Sequence, residues 1–282
     1  MKITRIEKQK KNSERYSLYV DDEFWMGVNE AVLVKFALFK AQTVTAKDLN
    51  EIAEAEYQHS IYNQAIKYLA HGLKTVKETR DYLTKYLADR HKEQEEQPHP
   101  NEALYIEQAI EKLTEQKYLN DLFYSQSYVR THANLNQKGP ALLRRELQQK
   151  GVAVHLIDEA MQEYPAELAV ENAQALADKY ARIKKQYPPK KLIEKTRQML
   201  NNKGYDHDLI QQVMHEVDLS ASAERQDDLL AKEAEKQLRK WRRKHSGFQL
   251  KQKMTESMMR KGFDYDLIKT WMAENEEAFI EE

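Results

Sequence analysis

One pattern occurs three times in this chain and constrains its fold more than any other feature. Each copy ends in a Lys-Gly pair, at Gly151, Gly204 and Gly262, with an apolar residue four positions before the glycine. A Leu-Ile pair and then a methionine follow each glycine at the same distances. A pattern that recurs about every 55 residues indicates a chain built from repeated structural units.

Each copy is explained physically as the junction of two helices. Glycine adopts the left-handed backbone conformation that ends many helices, and lysine suits the negative end of the helix dipole. In the helix that follows, the Leu-Ile pair and the methionine lie one turn apart on one face. We therefore expect three-helix units in which Leu147, Leu200 and Met258, the apolar residues before the glycines, are buried at equivalent places.

The composition favours helices over strands. Only seven glycines and six prolines occur in 282 residues, so residues that favour β-turns are scarce. The chain has no cysteine, which excludes disulfides and thiolate metal sites and fits a reducing cytoplasm. No apolar run reaches the ~20 residues that a membrane-spanning helix needs, so we expect a cytoplasmic protein without a membrane partner.

The first 28 residues differ from the rest and predict a small antiparallel β meander. Three runs rich in aromatic and β-branched residues are separated by two polar stretches, residues 10–15 and 21–23. Such runs between polar turns are typical of short strands joined by tight connections.

Two helix starts are expected directly after the meander. Asn29 is suited to cap a short helix that runs through Phe39. Thr45 stands three residues before Asp48, which predicts a capping box for a second helix that continues to Leu69.

The predicted fold is all-α: tandem three-helix repeats in an elongated curved array, preceded by the small β meander. The expected boundaries are 1–74 for the meander and first helices, 75–138 for repeat 1, 139–189 for repeat 2, 190–247 for repeat 3, and 248–282 for a partial repeat 4 with an acidic end.

The third helices of the repeats are expected to bury apolar stripes. In repeat 3 the stripe ends in Trp241, which we expect to be a buried anchor of its helix. Between the first two helices of repeat 1, the polar stretch from His91 to Pro100 predicts an exposed loop. The stripe of repeat 2 is expected at Ala169, Ala173, Leu176, Tyr180, Ile183 and Tyr187.

No catalytic or metal-binding pattern is found in the sequence. No glycine-rich phosphate loop is present, and none of the nine histidines falls in a zinc-ligand pattern. The run from Asp206 to Asp208 lies at an expected helix start, where acidic residues cap. The repeated methionines occupy equivalent positions, which favours a core role. We therefore predict no cofactor and no enzymatic activity, although an unrecognised enzyme stays an alternative.

Positive charge is concentrated in two segments, although the net charge is only −1. The segments span residues 179–203 and 236–261, and each contains a single acidic residue. Their recurrence at equivalent places predicts a basic band; the alternative is a set of solvated helix faces with favourable C-terminal charges. The candidate binding residues are Arg144, Arg145, Arg182, Lys184, Lys185, Lys190, Lys191, Arg239, Lys240, Arg242, Arg243 and Lys244.

Several short motifs follow one another along nearly the whole chain: Ile3–Glu7, Lys10–Asn12, Arg15-Tyr16, Ala65–Leu69, Glu78–Arg80, Tyr118–Asp121, Tyr124, Tyr128–Arg130, Lys138–Pro140 and Leu147–Gly151. In their residues and their order, these motifs resemble the RecX family of regulators of the RecA recombinase. The chain is most similar to the long form of Gram-positive bacteria. Two departures are the polar insert His91–Pro100 and the stretch 70–72, where the family often carries basic residues.

The resemblance implies an all-helical array of three-helix repeats and a cytoplasmic, non-catalytic protein. Its implied partners are RecA, the RecA–DNA filament and DNA, and its implied effect is mainly inhibition of recombinase activity in DNA repair and the SOS response. We expect a monomer. The alternative is a stand-alone DNA-binding protein, because three-helix units that end in a basic helix are similar to helix-turn-helix domains.

Overall fold

The computed structural model describes residues 1–10, 12–95 and 97–279. Three strands lie in the first 29 residues and form an antiparallel sheet in the order β1-β2-β3, which confirms the predicted meander. Lys11 of the first polar turn and residues 280–282 of the acidic end lie outside the described residues. The strands are β1 (Ile3–Lys8), β2 (Arg15–Val20) and β3 (Glu23–Asn29).

Helices make up most of the remaining described chain. The helices before the first Lys-Gly pair are α1 (Glu30–Lys35), α2 (Ala46–Leu69), α3 (Val76–Gln94), α4 (Glu102–Glu115), α5 (Asp121–Asn134) and α6 (Pro140–Gln149). Those after it are α7 (Val154–Ala160), α8 (Ala166–Ile183), α9 (Pro189–Asn202), α10 (His207–Glu216), α11 (Ser220–Ala223), α12 (Gln226–Trp241), α13 (Gly247–Arg260) and α14 (Tyr265–Glu274).

The chain divides into two compact units. The first holds residues 1–124 and 150–152, and the second holds residues 125–149 and the described residues from 153 onward. In the first unit, one apolar cluster joins the sheet to α1 and α2, and another joins α2, α3 and α4. In the second, a cluster joins α12, α13 and α14. The repeat boundaries given above stay a prediction.

The predicted helix caps are present, but α1 is shorter than expected. Asn29 accepts a hydrogen bond from the Ala31 amide, and Thr45 with Asp48 forms the predicted capping box. The helix that was expected to reach Phe39 ends at Lys35, because Ala37 has a φ of +47° and lies in the left-handed region. No composition cue marks this position, since alanine otherwise favours helices.

The three apolar residues of the repeated pattern are buried as predicted. The exposed fractions of Leu147 and Leu200 are 0%, and that of Met258 is 1%. The glycines that follow have φ values of +81°, +88° and +94°, so each ends its helix in the left-handed conformation. Of the methionines that follow, Met161 and Met272 are buried and Met214 is half-buried.

Each of these glycines also packs against the start of an earlier helix. A Cβ atom added to Gly151 would overlap the Lys77 side chain of α3. One added to Gly204 would overlap the Leu142 backbone of α6, and one added to Gly262 would meet the Lys191 backbone of α9. The same junction therefore recurs three times among the described residues, and it needs a residue without a side chain.

The lysine before each glycine also contacts a residue earlier in the chain. Lys150 Nζ lies 2.5 Å from a Glu78 carboxylate oxygen of α3, and Lys203 Nζ donates to the Asn136 carbonyl at 2.9 Å. Lys261 Nζ lies 2.9 Å from a Glu233 carboxylate oxygen of α12. The repeated lysine thus makes specific contacts beyond the helix-dipole role that the sequence suggests.

The predicted stripe of α8 is confirmed at Ala169 and Ala173 and wrong at Ile183. The helix buries a face of small residues that includes Ala169, Ala173, Ala177 and Ala181, whereas Ile183 is 57% exposed. Leu176, Tyr180 and Tyr187 are half-buried. The alanine face allows α8 to pack closely against α9 and α10, and the larger side chains of α8 lie outside this closely packed face.

Trp241 is not a fully buried anchor. Its ring is half-buried against the cluster of α12–α14, and its indole N–H donates to Gln237 Oε1 at 3.2 Å. Gln237 is only 4% exposed, and it also accepts a hydrogen bond from Ser257. The fully buried residue of this part of α12 is therefore Gln237, one turn before Trp241, and the tryptophan packs beside it.

The polar stretch 91–100 begins as helix rather than as the predicted loop. Its described residues are exposed as predicted, except for the buried His91 and the half-buried His99, and Glu96 lies outside the described residues. Helix α3 continues to Gln94, and His91 is buried, with its Nε2 2.6 Å from a Glu102 carboxylate oxygen. His99 Nε2 lies 2.9 Å from Glu54 of α2. Two histidine–glutamate contacts therefore fasten this insert to the first unit. In the described chain, no helix combines the length and apolar character needed to cross a bilayer.

Candidate functional site

The two basic segments lie at helix ends and in the loops that follow them. The first candidates extend from the last turn of α8 to the first turn of α9, where Pro188 and Pro189 start the new helix. The second group extends from the last turn of α12 to the loop before α13. Arg144 and Arg145 lie on α6.

Salt bridges neutralise some of the predicted binding residues. Lys190 pairs with Asp264, and Arg144 pairs with Asp158. Lys191 Nζ lies 2.7 Å from Glu194. Arg239 lies 3.8 Å from Glu235, a long contact between two exposed side chains that stabilises little.

The remaining candidates keep their positive charge available. In the part of the chain that the structure describes, none of them has a salt-bridge partner, and all are exposed except the half-buried Lys184. The Nζ atom of Lys240 lies 4.9 Å from the centre of the Trp241 ring. The residues are Arg145, Arg182, Lys184, Lys185, Lys240, Arg242, Arg243 and Lys244.

A groove in the second unit brings the two basic segments together. Lys191 of the first segment and Lys236 of the second both line it, together with residues of α12 and α13. Its volume is about 460 Å³. The other predicted residues lie outside its lining, so the structure unites only part of the predicted band at this place.

Sequence reasoning missed several cations of this groove as site residues. Lys236, Arg260 and Lys261 lie in the second basic segment but are not among the predicted binding residues, and Lys232 lies in the acidic stretch between the segments. The available signal was the four-residue spacing of Lys232 and Lys236, which places both on one face of a helix. The position of Arg260 in the groove lining could not be predicted in this way, because it depends on how α13 packs against α12.

Glu233 is the acidic residue in the groove lining. Partial burial opposes ionisation of its carboxyl group, but hydrogen bonds from Gln237 and Lys261, with the charges of Lys261 and Lys236, lower its pKa overall. The carboxylate is therefore ionised at neutral pH and balances one of the five surrounding cations.

The arrangement is suited to binding anions. Within the described residues, no group of three or more His, Cys, Asp and Glu side chains has a metal-binding arrangement. The Asp206 side chain caps α10 by accepting from the Leu209 amide, as expected from the sequence. The features that favour anion binding are the exposed cations at helix ends and the basic groove.

Family models match most of the chain. The model described as the regulatory protein RecX N-terminal domain matches residues 1–45, and that of the RecX second three-helix domain matches residues 120–161. The model of the RecX third three-helix domain matches twice, at residues 167–214 and 224–272. The chain therefore carries two successive segments that are similar to one domain.

Individual relatives agree with the family models. The regulatory protein RecX of Listeria innocua is 34% identical over 282 residues, which is 100% of both chains, and that of Staphylococcus carnosus is 35% identical over 97% of each. A crystal structure of regulatory protein RecX matches with a TM-score of 0.63 and 30% identity, over 75% of this chain and 98% of that chain.

A second solved structure is similar over a shorter part. The crystal structure of RecX from Lactobacillus salivarius matches with a TM-score of 0.50 and 32% identity, over 58% of this chain and 99% of that chain. Sequence identity over the full length, the matched domains and the common fold lead to one conclusion. The chain belongs to the RecX family of regulatory proteins.

Proposed function

We propose that this protein regulates RecA by binding the RecA–DNA filament, and that its basic segments carry the contact. Membership of the RecX family supports a regulator of RecA. The observation that carries the proposed contact is the run Arg242, Arg243 and Lys244, three consecutive exposed cations without a salt-bridge partner among the described residues. Such a run suits either DNA phosphates or an acidic protein surface.

The proposed mechanism is mechanical obstruction rather than catalysis. The protein binds RecA subunits on single-stranded DNA and opposes extension of the filament or strand exchange. Its main effect is inhibition of the recombinase activity of RecA in DNA repair and the SOS response. It acts as a monomer in the cytoplasm. The family relationship supports this proposal, since the relatives are regulatory proteins by name.

Charge reversal of the cation run tests the proposal. The variant Arg242→Glu/Arg243→Glu/Lys244→Glu should keep its helicity and melting temperature, because the three side chains are exposed and lie after the last residue of α12. The concentration of the variant that is needed to inhibit RecA filament assembly on single-stranded DNA should be at least tenfold higher than that of the parent. If these residues meet phosphates, the salt dependence of DNA binding should become shallower by about one unit per lost contact.

A matched control separates local from general charge effects. Lys47, Lys85 and Lys269 are exposed and lie outside the basic segments, so their combined change to glutamate alters the net charge by the same amount. This control should inhibit RecA as the parent does. A cation-run variant that folds, regulates RecA and binds DNA like the parent contradicts the proposed contact. Loss of RecA regulation with unchanged DNA affinity assigns the run to protein contact.

The alternative function is DNA binding that does not depend on RecA. It is favoured by the position of the cations at the ends of helices in three-helix units. Measurement of DNA affinity with and without RecA distinguishes the two functions. A regulator of the filament should bind RecA-coated DNA more tightly than bare DNA, whereas a stand-alone DNA-binding protein should show no such preference.

A further inference from the structure

The groove where the two basic segments meet has an apolar floor. Tyr187 and Pro188 line it from the loop before α9, Leu229 from α12, and Phe263 from the turn after α13. The main chain at Tyr187 is anchored, because its carbonyl accepts a hydrogen bond from Ser222 Oγ at 2.7 Å. The residue is half-buried, so part of its surface remains open to a ligand.

The rim of the groove is strongly cationic. Lys191, Lys232, Lys236, Arg260 and Lys261 line it, against the single acid Glu233. The salt bridges of Lys191 with Glu194 and of Lys261 with Glu233 neutralise two of these charges. Three cations therefore remain without a salt-bridge partner in the described ranges: Lys232, Lys236 and Arg260, all of them exposed.

The uncompensated cations come from two different helices. Lys232 and Lys236 stand one turn apart on α12, and Arg260 is the last residue of α13. An anion that lies along the groove therefore meets positive charge from both helices, with an aromatic ring at the floor. Proteins that bind single-stranded nucleic acids commonly combine such a cationic groove with aromatic side chains on which bases stack.

We propose that this groove binds a single strand of nucleic acid, with backbone phosphates on Lys232, Lys236 and Arg260 and a base against Tyr187. The inference deepens the proposed function and rests on it for the source of the strand, the DNA that RecA coats. A volume of about 460 Å³ accommodates a nucleotide-sized ligand. An acidic peptide satisfies the cations equally but leaves the aromatic floor without a stacking partner, so a nucleic acid fits the groove better.

The test uses fluorescently labelled oligo-deoxythymidine and the full chain, without RecA, over a range of salt concentrations. The variant Lys232→Glu/Lys236→Glu should bind at least tenfold more weakly, and its salt dependence should become shallower by about 1.4 units for two lost phosphate contacts. Tyr187→Ala should weaken binding about five- to tenfold, whereas Tyr187→Phe should bind like the parent because it keeps the ring. The charge-matched control Lys47→Glu/Lys269→Glu should retain parental binding.

Parental affinity in the Lys232→Glu/Lys236→Glu variant, or no oligonucleotide binding by the parent, overturns the inference. Loss of binding to a labelled poly-glutamate peptide, with oligonucleotide binding unchanged, assigns the groove to an acidic protein and also overturns it. The same proteins are then assayed for inhibition of RecA filament assembly. If the parent inhibits RecA while the groove proves irrelevant to oligonucleotide binding, the inference fails and the proposed function stands. If the parent does not affect RecA at all, the proposed function fails.

Discussion

At the scale of single residues, positions that are equivalent in the repeated pattern have equivalent surroundings. Leu147 and Leu200 are fully buried, as their shared distance from the capping glycine predicts. This agreement was predictable because burial at a helix end depends on local periodicity. The acceptors of the repeated lysines were not predictable, because Glu78, Asn136 and Glu233 come close only after the helices pack.

Truncation of a buried leucine should destabilise the protein strongly. Leu147→Ala and Leu200→Ala are each expected to lower the free energy of unfolding by about 2–5 kcal/mol, since each leaves a cavity in a packed interior. Urea unfolding followed by circular dichroism measures the effect. Leu135→Ala is the control, because Leu135 is 79% exposed and its loss should cost little. Equal stabilities of the buried and exposed variants would contradict the burial of Leu147 and Leu200.

The Glu78–Lys150 contact should make stability depend on pH. Partial burial opposes ionisation of Glu78, but hydrogen bonds from Lys150 and the Thr75 amide lower its pKa below the ordinary value of 4.5. Partial burial also acts against the charge of Lys150, but the hydrogen bond to Glu78 helps to raise its pKa above 10.5. The Glu78 carboxylate therefore stabilises the fold above about pH 4.5, and this stabilisation is lost as the pH falls through the pKa of Glu78 in the folded state. The Lys150 ammonium group stabilises the fold below pH 10.5, and this stabilisation is lost as the pH rises through the pKa of Lys150 in the folded state.

Glu78→Gln tests this linkage. The variant should lose about 1 kcal/mol of unfolding free energy at neutral pH, and the difference from the parent should vanish in acid, where Glu78 is protonated. Unfolding measured at several pH values checks the expectation. Glu115→Gln removes an exposed carboxylate and should match the parent throughout. A difference that persists unchanged in acid assigns the effect to packing.

At the scale of elements, the sequence predicted helix starts better than helix ends and helix faces. A start is marked by a local side-chain cap, such as that of Thr45, which two nearby residues determine. The end of α1 depends on the left-handed conformation of Ala37, which no residue type announces. On α8 the predicted burial of Ala169 and Ala173 is confirmed, but the buried face continues through Ala177 and Ala181 and leaves Ile183 exposed, because small residues suit close helix packing.

The capping glycines should differ in their tolerance of alanine. Gly151 and Gly204 have similar φ values of +81° and +88°, so the backbone cost of a side chain is nearly equal. At Gly204 a Cβ would overlap the Leu142 backbone nitrogen, whereas at Gly151 its three nearest atoms all belong to the Lys77 side chain, with Cδ nearest and Cβ at 2.5 Å. Gly204→Ala should therefore cost at least about 1 kcal/mol more than Gly151→Ala, because the backbone yields less readily.

Thermal unfolding of the two alanine variants measures this difference. A melting temperature of Gly204→Ala that is equal to, or higher than, that of Gly151→Ala contradicts the junction geometry. The pair forms its own control, since both variants carry the same backbone penalty.

At the scale of the whole molecule, the sequence predicted the fold class and the family, but only part of the lining of the candidate groove. Counting cations along the chain found Lys191, because charge runs are visible in one dimension. The groove that contains it is assembled from a loop, α9, α12 and α13, so Lys232 gains its place only through packing. Contacts between elements that are distant in the chain cannot be predicted from the periodicity of the sequence.

The whole protein is expected to act without nucleotide hydrolysis and without a tightly bound metal. Elemental analysis of freshly purified protein should find no stoichiometric metal, and incubation with ATP should release no phosphate above background. Heat-denatured protein provides the background for phosphate release. A stoichiometric metal whose removal by a chelator abolishes regulation of RecA overturns this expectation.

The recurring junction bears on how such a chain can change its length in evolution. Because a glycine turn docks on the start of an earlier helix in the same way at Gly151, Gly204 and Gly262, a duplicated unit presents both halves of the junction to its neighbours. Two successive segments already match one domain model. Gene duplication can therefore lengthen this protein in whole modules, because each added module brings the residues of its own junction and needs no redesign of the existing core.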